Sequence, residues 1–273
     1  MTAEAPRQQA QSAIDRVFQR FPFRDRDNRS IRARTLEVAT RFLSLCPPPA
    51  TVADLGTGQA LLPGVLAALG YEAIGVDDYR DPVHDLETVR LIEKFADEAG
   101  FQLVTEKIEA FVPDRPLGAV SLMDVIEHLH DSPRGLLNHA GSVLEPDGLV
   151  AVVMPSSVNL RKRLDVLRGK TNYPPLRQFF EAPAPWRGHV REYTPSETGE
   201  LLGLAGFEVL EVRPFHAIVD DRMPKGIVRL AYLGVTGIRP ALRDSFLALG
   251  RKPPGWRPVP ESAASRTLSS CEP

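Results

Sequence analysis

The sequence predicts a doubly wound α/β fold built on a mostly parallel sheet. Three observations carry that prediction: short apolar runs alternate with amphipathic segments, acidic residues stand where the runs end, and a glycine turn follows the first run. The chain has 273 residues, 43% hydrophobic and 25% charged, enough to bury a sizeable core. With 33 basic and 35 acidic residues the formal charge is −2, so no overall field draws the protein to nucleic acid or a membrane. Cys46 and Cys271 each stand alone and build neither a disulfide framework nor a cysteine zinc site. The polar first residues lack the apolar run of a signal peptide, and no stretch reaches the ~20 apolar residues of a membrane span. The expected location is cytoplasmic.

The elements run in order along the chain. Residues 1–11 read as frayed. Ile14, Val17, Phe18 and Phe21 recur at helical spacing until Phe21-Pro22-Phe23 stops the helix, and a second helix over 30–45 ends before Pro47-Pro48-Pro49. The first strand, 51–55, leads into Gly56-Thr57-Gly58. Leu61, Leu62, Val65, Leu66 and Leu69 form a helix face closed by Gly70. Strand 72–76 ends at Asp77, and helix 86–99 is stopped by Gly100 before strand 102–105. A fourth strand covers 119–123, and Glu127 and His128 begin the helical segment after it. Asp131 or Ser132 caps a helix that begins with Pro133 and is lined by Leu136, Leu137, Ala140, Val143 and Leu144. Pro146-Asp147-Gly148 turns into the continuously apolar run 149–154, the pattern of a strand buried on both faces. Thr194-Pro195-Ser196-Glu197 is a capping box. Strands over 207–212 and 245–249 complete the set, and residues 252–273, rich in Pro, Ser and Arg, read as mobile.

Asp54, Asp77, Glu106 and Asp124 all fall at or just past strand ends, where ligands of such sheets bind. The glycine turn suits two cofactor classes. A dinucleotide expects a third glycine where Leu61 stands, and Asp54 puts negative charge beside its pyrophosphate. S-adenosylmethionine has no phosphate and carries a sulfonium and an amino group, so the same carboxylates attract it. The electrostatic sign favours the sulfonium cofactor.

In the order and spacing of Asp54-Leu55-Gly56-Thr57-Gly58, Gly75-Val76-Asp77, Met123-Asp124-Val125-Ile126-Glu127-His128, Leu144-Glu145-Pro146-Asp147-Gly148 and Ala205-Gly206-Phe207, the sequence resembles the class I S-adenosylmethionine-dependent methyltransferases. That broad group includes ubiquinone-biosynthesis O-methyltransferases and many small-molecule enzymes, and the resemblance covers about residues 30–252. It implies a Rossmann-like, seven-stranded sheet whose last strand, within 243–252, runs antiparallel. It implies a helical lid over 1–45, a methyltransferase domain over 46–252 with an acceptor-side insertion at 155–193, and a flexible tail over 253–273. It further implies that Gly56, Thr57 and Gly58 line the methionine part of the cofactor and that Asp54 holds its amino end. Asp77, with Asp78 beside it, would accept the ribose hydroxyls, Lys107 and Ile108 would flank the adenine, and Leu122, Met123 and Asp124 would form the floor. Gln59-Ala60 departs from the commonest loop pattern, which has a further glycine there, and makes the loop stiffer.

Other residues carry two readings. Asp77 could instead cap the following loop, and Glu127 and His128 could simply favour a helix start. The insertion combines Arg161, Lys162, Arg163, Arg168, Lys170 and Arg177 with Tyr173, Phe179, Phe180, Trp186 and His189. It reads either as a helix with a solvated basic face or as an acceptor lid with cationic anchors and aromatic walls. His189 or Tyr193 could face the substrate. His189 and His128 are the candidate bases, and no metal is expected because no ligand spacing stands out. Asn172-Tyr173-Pro174-Pro175 is a scrambled version of a nucleic-acid methyltransferase motif and follows the wrong strand, which together with the charge argues against nucleic acid. A second insertion over 220–244 reads as a packed apolar helix. The expected activity is methylation of a small molecule, at oxygen ahead of nitrogen or carbon, acidic or glycan-linked acceptors included. The alternatives are a methyltransferase of a sugar or lipid-linked glycan, a non-catalytic binding protein and a dehydrogenase.

Overall fold

Successive side chains of a strand point to opposite faces, and both faces of this sheet are covered. The computed structural model describes residues 4–24, 28–81, 84–217 and 226–260. Its elements are helices α1 (Glu4–Phe18) and α2 (Asn28–Leu45), strand β1 (Thr51–Leu55), α3 (Leu61–Ala68), β2 (Glu72–Val76), α4 (Leu86–Ala99), β3 (Gln102–Val104), β4 (Leu117–Met123), α5 (Arg134–Val143), β5 (Leu144–Pro155), α6 (Leu160–Leu167), α7 (Leu176–Glu181), α8 (Pro195–Leu204), β6 (Glu208–Phe215), α9 (Ile227–Ile238) and β7 (Ser245–Arg251). The seven strands lie in the order β3-β2-β1-β4-β5-β7-β6. β7 runs antiparallel to both neighbours, and the remaining pairs are parallel. Strand order reverses between β1 and β4, which opens a crevice at their carboxyl ends.

Alternation splits the core in two. Val52, Ala119, Ala151, Val153, Leu247 and Leu249 face α1–α4, whose Ile14, Phe42, Leu62, Leu66 and Phe95 fill one side. Ala53, Leu55, Val120, Leu122, Val150 and Val152 face α5 and α8, meeting Leu136, Leu137, Ala140 and Leu202. Each such large side chain contributes about 1.5–3 kcal/mol through burial. The predicted capping box is present: Thr194 Oγ1 accepts from the Glu197 amide at 3.1 Å, and Glu197 Oε2 accepts from the Thr194 amide at 2.8 Å.

Several expectations need correction. The stretch expected to fray is helical from Glu4 and buries Pro6 and Ala10, because the first turns of α1 pack into the first core; residues 1–3 lie outside the described residues. α1 ends at Phe18, before the proline, so Phe21 turns inward to meet Phe18, Phe23 and Phe95. Glu127 and His128 sit in a short 3-10 turn, Ile126–His128, and the following helix starts only at Arg134. Residues 253–260, expected within a mobile tail, are clasped: the Trp256 ring stacks on Phe207 at 6.0 Å and its Nε1 donates to the Ala205 carbonyl at 2.9 Å. Asn138 pairs with both main-chain groups of Val259. Residues 261–273 lie outside the described residues. α9, within the second insertion, buries only Tyr232 and Thr236 and presents Ile227, Val228, Leu230 and Ile238 to solvent, since one face alone rests on the corner where His216 pairs with Asp244 and Thr236. The start of that insertion, 220–225, lies outside the described residues. No helix among the described residues is long and apolar enough to cross a membrane.

Candidate active site

The site is assembled from four strand ends and one insertion. At the end of β1, the Gly56 and Thr57 amides both donate to the Val76 carbonyl, at 2.8 and 3.0 Å, which folds the turn back over β2. Gly56 has φ +80, and a Cβ there would stand 2.6 Å from Val125 Cγ2 and 3.3 Å from Ile108 Cδ1. Gly58 has φ +51 and faces open space, with nothing within 4 Å of a built Cβ. The turn is therefore packed from below at Gly56 and open above at Gly58.

Asp54 lies beneath the turn, 1% exposed. Its oxygens accept from Ser121 Oγ at 2.6 Å and Thr57 Oγ1 at 2.8 Å, so it braces the loop. Burial pushes its carboxyl up to about 6; the Ser121 and Thr57 hydrogen bonds oppose the shift, while Asp77 and Asp124 add to it. Asp77 Oδ2 accepts from the Gly58 amide at 2.9 Å and Oδ1 from the Tyr79 amide at 3.0 Å, joining the turn to the end of β2. Both oxygens keep lone pairs for further donors. Asp78 accepts from the Arg80 amide at 3.1 Å. Lys107 and Ile108 stand at the start of a 3-10 turn after β3, and Ile108 reaches Gly56. Met123, nearly buried, ends β4.

Asp124 has φ +56 and its amide donates to the Val153 carbonyl. Arg34 of α2 pairs with it at 3.1 Å. Burial raises the Asp124 carboxyl above the ordinary range against the opposing charges of Arg34 and His128. Arg34 was not legible in the sequence, since it is one of several arginines on its helix. The N-terminal helices pack into the first core, and Arg34 of α2 reaches Asp124.

The insertion closes the other side. The Val190 and Arg191 amides donate to the Glu127 carbonyl at 2.7 and 3.2 Å, pinning the insertion to the turn after β4. That clamp brings His189 against His128, ring centroids 4.8 Å apart and edge to face. His128 Nδ1 meets the Arg187 carbonyl at 2.9 Å and His189 Nδ1 meets Glu192 Oε1 at 2.7 Å. Lys162 pairs with the same Glu192. Glu127 is fully buried, and no donor from another described residue reaches its carboxylate oxygens. Burial raises its carboxyl well above the usual range, with Asp124 adding, against Arg34 and Lys162. Burial lowers His189 to about 4, with His128, Lys162 and Arg34 contributing, so its imidazole is neutral near pH 7. The two candidate bases and Glu127 thus form one cluster; sequence spacing offered no ligand set because His189 enters from a distant segment.

Beyond His189 lies an apolar cavity of about 680 Å³ lined by His130, Thr171, Tyr173, Pro174, Leu176, Phe179, Trp186 and Val190. A second space of about 460 Å³ shares His189 and Tyr173. Trp186 packs edge to face on Phe179 at 5.3 Å. Tyr193, the other expected substrate-facing residue, is instead buried in the second core. Several insertion cations are engaged locally: Arg177 with Glu181 at 2.7 Å, Arg168 and Lys170 with Asp165 at 3.9 Å, and Arg163 on the Val158 carbonyl at 2.7 Å.

The sheet order, the glycine turn and the acidic strand ends define a methyltransferase domain, and the family described as a methyltransferase domain matches residues 18–212. The chain belongs to that family. No curated protein matches the sequence. Its fold is shared with a SAM-dependent methyltransferase from Archaeoglobus fulgidus, at 16% identity over 84% of this chain and 95% of that one, TM-score 0.52. It is shared also with the glycopeptide N-methyltransferase MtfA complexed with S-adenosylmethionine, at 19% identity over 81% and 93%, TM-score 0.51. A third similar structure is the Burkholderia thailandensis 1,6-didemethyltoxoflavin-N1-methyltransferase, at 16% identity over 81% and 79%, TM-score 0.50.

Proposed function

We propose that the protein transfers a methyl group from S-adenosylmethionine to a hydroxyl oxygen of a small molecule with an apolar or aromatic body. The observation that carries the donor half is the open backbone face at Gly58, whose amide donates to Asp77 Oδ2 at 2.9 Å. Backbone approaches closely there, and acidic groups surround a space suited to a cationic ligand. Support comes also from the bound S-adenosylmethionine of the similar MtfA structure. When bound, the cofactor supplies a methyl group already activated by its sulfonium.

The chain's own residues align and desolvate. Asp77 has lone pairs for ribose hydroxyls, Lys107 and Ile108 border the adenine, Met123 and Asp124 form the floor, and Asp54 keeps the turn rigid through Thr57. The aromatic cavity beside His189 receives the acceptor, and His128 and His189 stand where its proton must leave. Because several insertion cations are already paired, recognition falls to the apolar wall more than to an acidic group. The acceptors named for the similar enzymes, 1,6-didemethyltoxoflavin and a glycopeptide, keep the glycan reading as the alternative.

Calorimetry with S-adenosylmethionine, S-adenosylhomocysteine and NAD, followed by a turnover screen over phenolic and sugar hydroxyls and over amine and ring nitrogens, tests this. The expected result is binding of the first two, none of NAD, and a methylated phenol. Cofactor binding without product from any acceptor favours a non-catalytic binding protein, and tighter NAD binding would replace the assignment with a dehydrogenase.

A further inference from the structure

We propose that Glu127, His128 and His189 form a binding site for one divalent transition cation bordering the acceptor cavity. Its part in catalysis rests on the methyl-transfer reading; the site itself rests on geometry. Each of the three residues offers a ligand atom, and these atoms lie within 4.8 Å of one another. Bonds of ~2.0–2.2 Å to a common point need only modest closure of the side chains.

Glu127 is the strongest observation. A fully buried carboxyl group whose oxygens no other described residue's donor reaches is a costly arrangement unless something absent from the chain completes it. Two cations whose charges face it, Arg34 and Lys162, are already held by Asp124 and Glu192. The histidines point the same way. A carbonyl and a carboxylate only accept, so the Nδ1 atoms facing Arg187 O and Glu192 Oε1 carry the protons. That leaves a lone pair on each Nε2 and supplies the outer hydrogen bonds that orient metal-binding imidazoles. The main-chain clamp of Val190 on Glu127, at 2.7 Å, holds the two segments together without a cation.

Two imidazoles and one carboxylate favour zinc, manganese or iron over magnesium or calcium and leave further coordination positions open. His189 also lines the cavity, so those positions border the space assigned to the acceptor. With a cation bound both Nε2 lone pairs are taken, so the cation replaces the histidines as the group that acts on the proton: it orients an acceptor oxygen and eases loss of its proton to solvent.

The test is titration of the chelator-treated full chain with Mn²⁺ followed by electron paramagnetic resonance, and with Zn²⁺ by calorimetry, both without cofactor. One cation per chain is expected. Glu127→Gln and His189→Ala should each weaken binding at least about 100-fold, and Glu192→Gln, which acts through the His189 ring, about 10–100-fold. Circular dichroism and S-adenosylhomocysteine binding check that each variant is folded. Absence of stoichiometric uptake by the parent chain, or uptake that survives in folded Glu127→Gln and His189→Ala, overturns the site. Cation uptake by a chain that binds no S-adenosylmethionine would sink the methyl-transfer reading and leave the site standing.

Discussion

The guanidinium of Arg34, carried by α2, lies 3.1 Å from the carboxylate of Asp124 at the end of β4. This pair ties a helix outside the sheet's βα repeat to the floor of the crevice. Arg34 is largely buried, so its removal leaves Asp124 with an uncompensated charge in a partly desolvated place. Arg34→Ala should lower stability by about 1–3 kcal/mol and speed amide exchange in α2. Denaturant unfolding and hydrogen exchange read this, and unchanged exchange in α2 would remove the latch.

Asp54 links pH to both folding and binding. Its carboxyl sits at about 6 against 3.8 for an ordinary aspartate, chiefly through burial, with Asp77 and Asp124 facing it and Ser121 and Thr57 opposing. The folded state therefore holds this proton more tightly than the unfolded chain. Its contribution favours the fold below about pH 4 and is lost as pH rises through about 6, by up to about 3 kcal/mol. A cationic ligand favours the ionised form, so S-adenosylmethionine affinity should increase between about pH 5 and 7. In Asp54→Asn both slopes should flatten; slopes that persist would assign them to other groups.

Gly56 and Gly58 separate folding from ligand approach. Gly56→Ala sets a Cβ 2.6 Å from Val125 at φ +80 and should cost at least about 2 kcal/mol of stability. Gly58→Ala meets open space and should cost about 1 kcal/mol, yet weaken cofactor binding more than it weakens the fold. Thermal melts beside calorimetry compare the two. Equal effects on both quantities would mean that the open face at Gly58 is not where the ligand sits.

Trp256 fastens the C-terminal segment. Its ring lies where a Cβ on Gly141 would come within 2.3 Å, and Lys252 caps the ring at 5.3 Å. Trp256→Ala should destabilise by about 2–4 kcal/mol, somewhat less than a fully buried aromatic because the residue is half-buried. Thermal melts read the loss, and a Trp256→Ala melting temperature equal to that of the parent chain would remove the clasp.

Much of this architecture was legible along the chain because its signals are local. The unbroken apolar run of 149–154, the stops at Gly70 and Gly100, the Thr194–Glu197 box and the glycine turn after Asp54 each report a backbone or burial preference over a few residues. Their order then specified a mostly parallel sheet with its ligands at the strand ends. Tertiary structure alone decided which distant groups meet: Arg34 with Asp124, Trp256 with the gap at Gly141, and His189 with Glu127 and His128. Those contacts depend on where the insertion and the terminal helices come to rest on the sheet. Packing of whole elements sets that outcome, and periodicity within one segment carries no record of it.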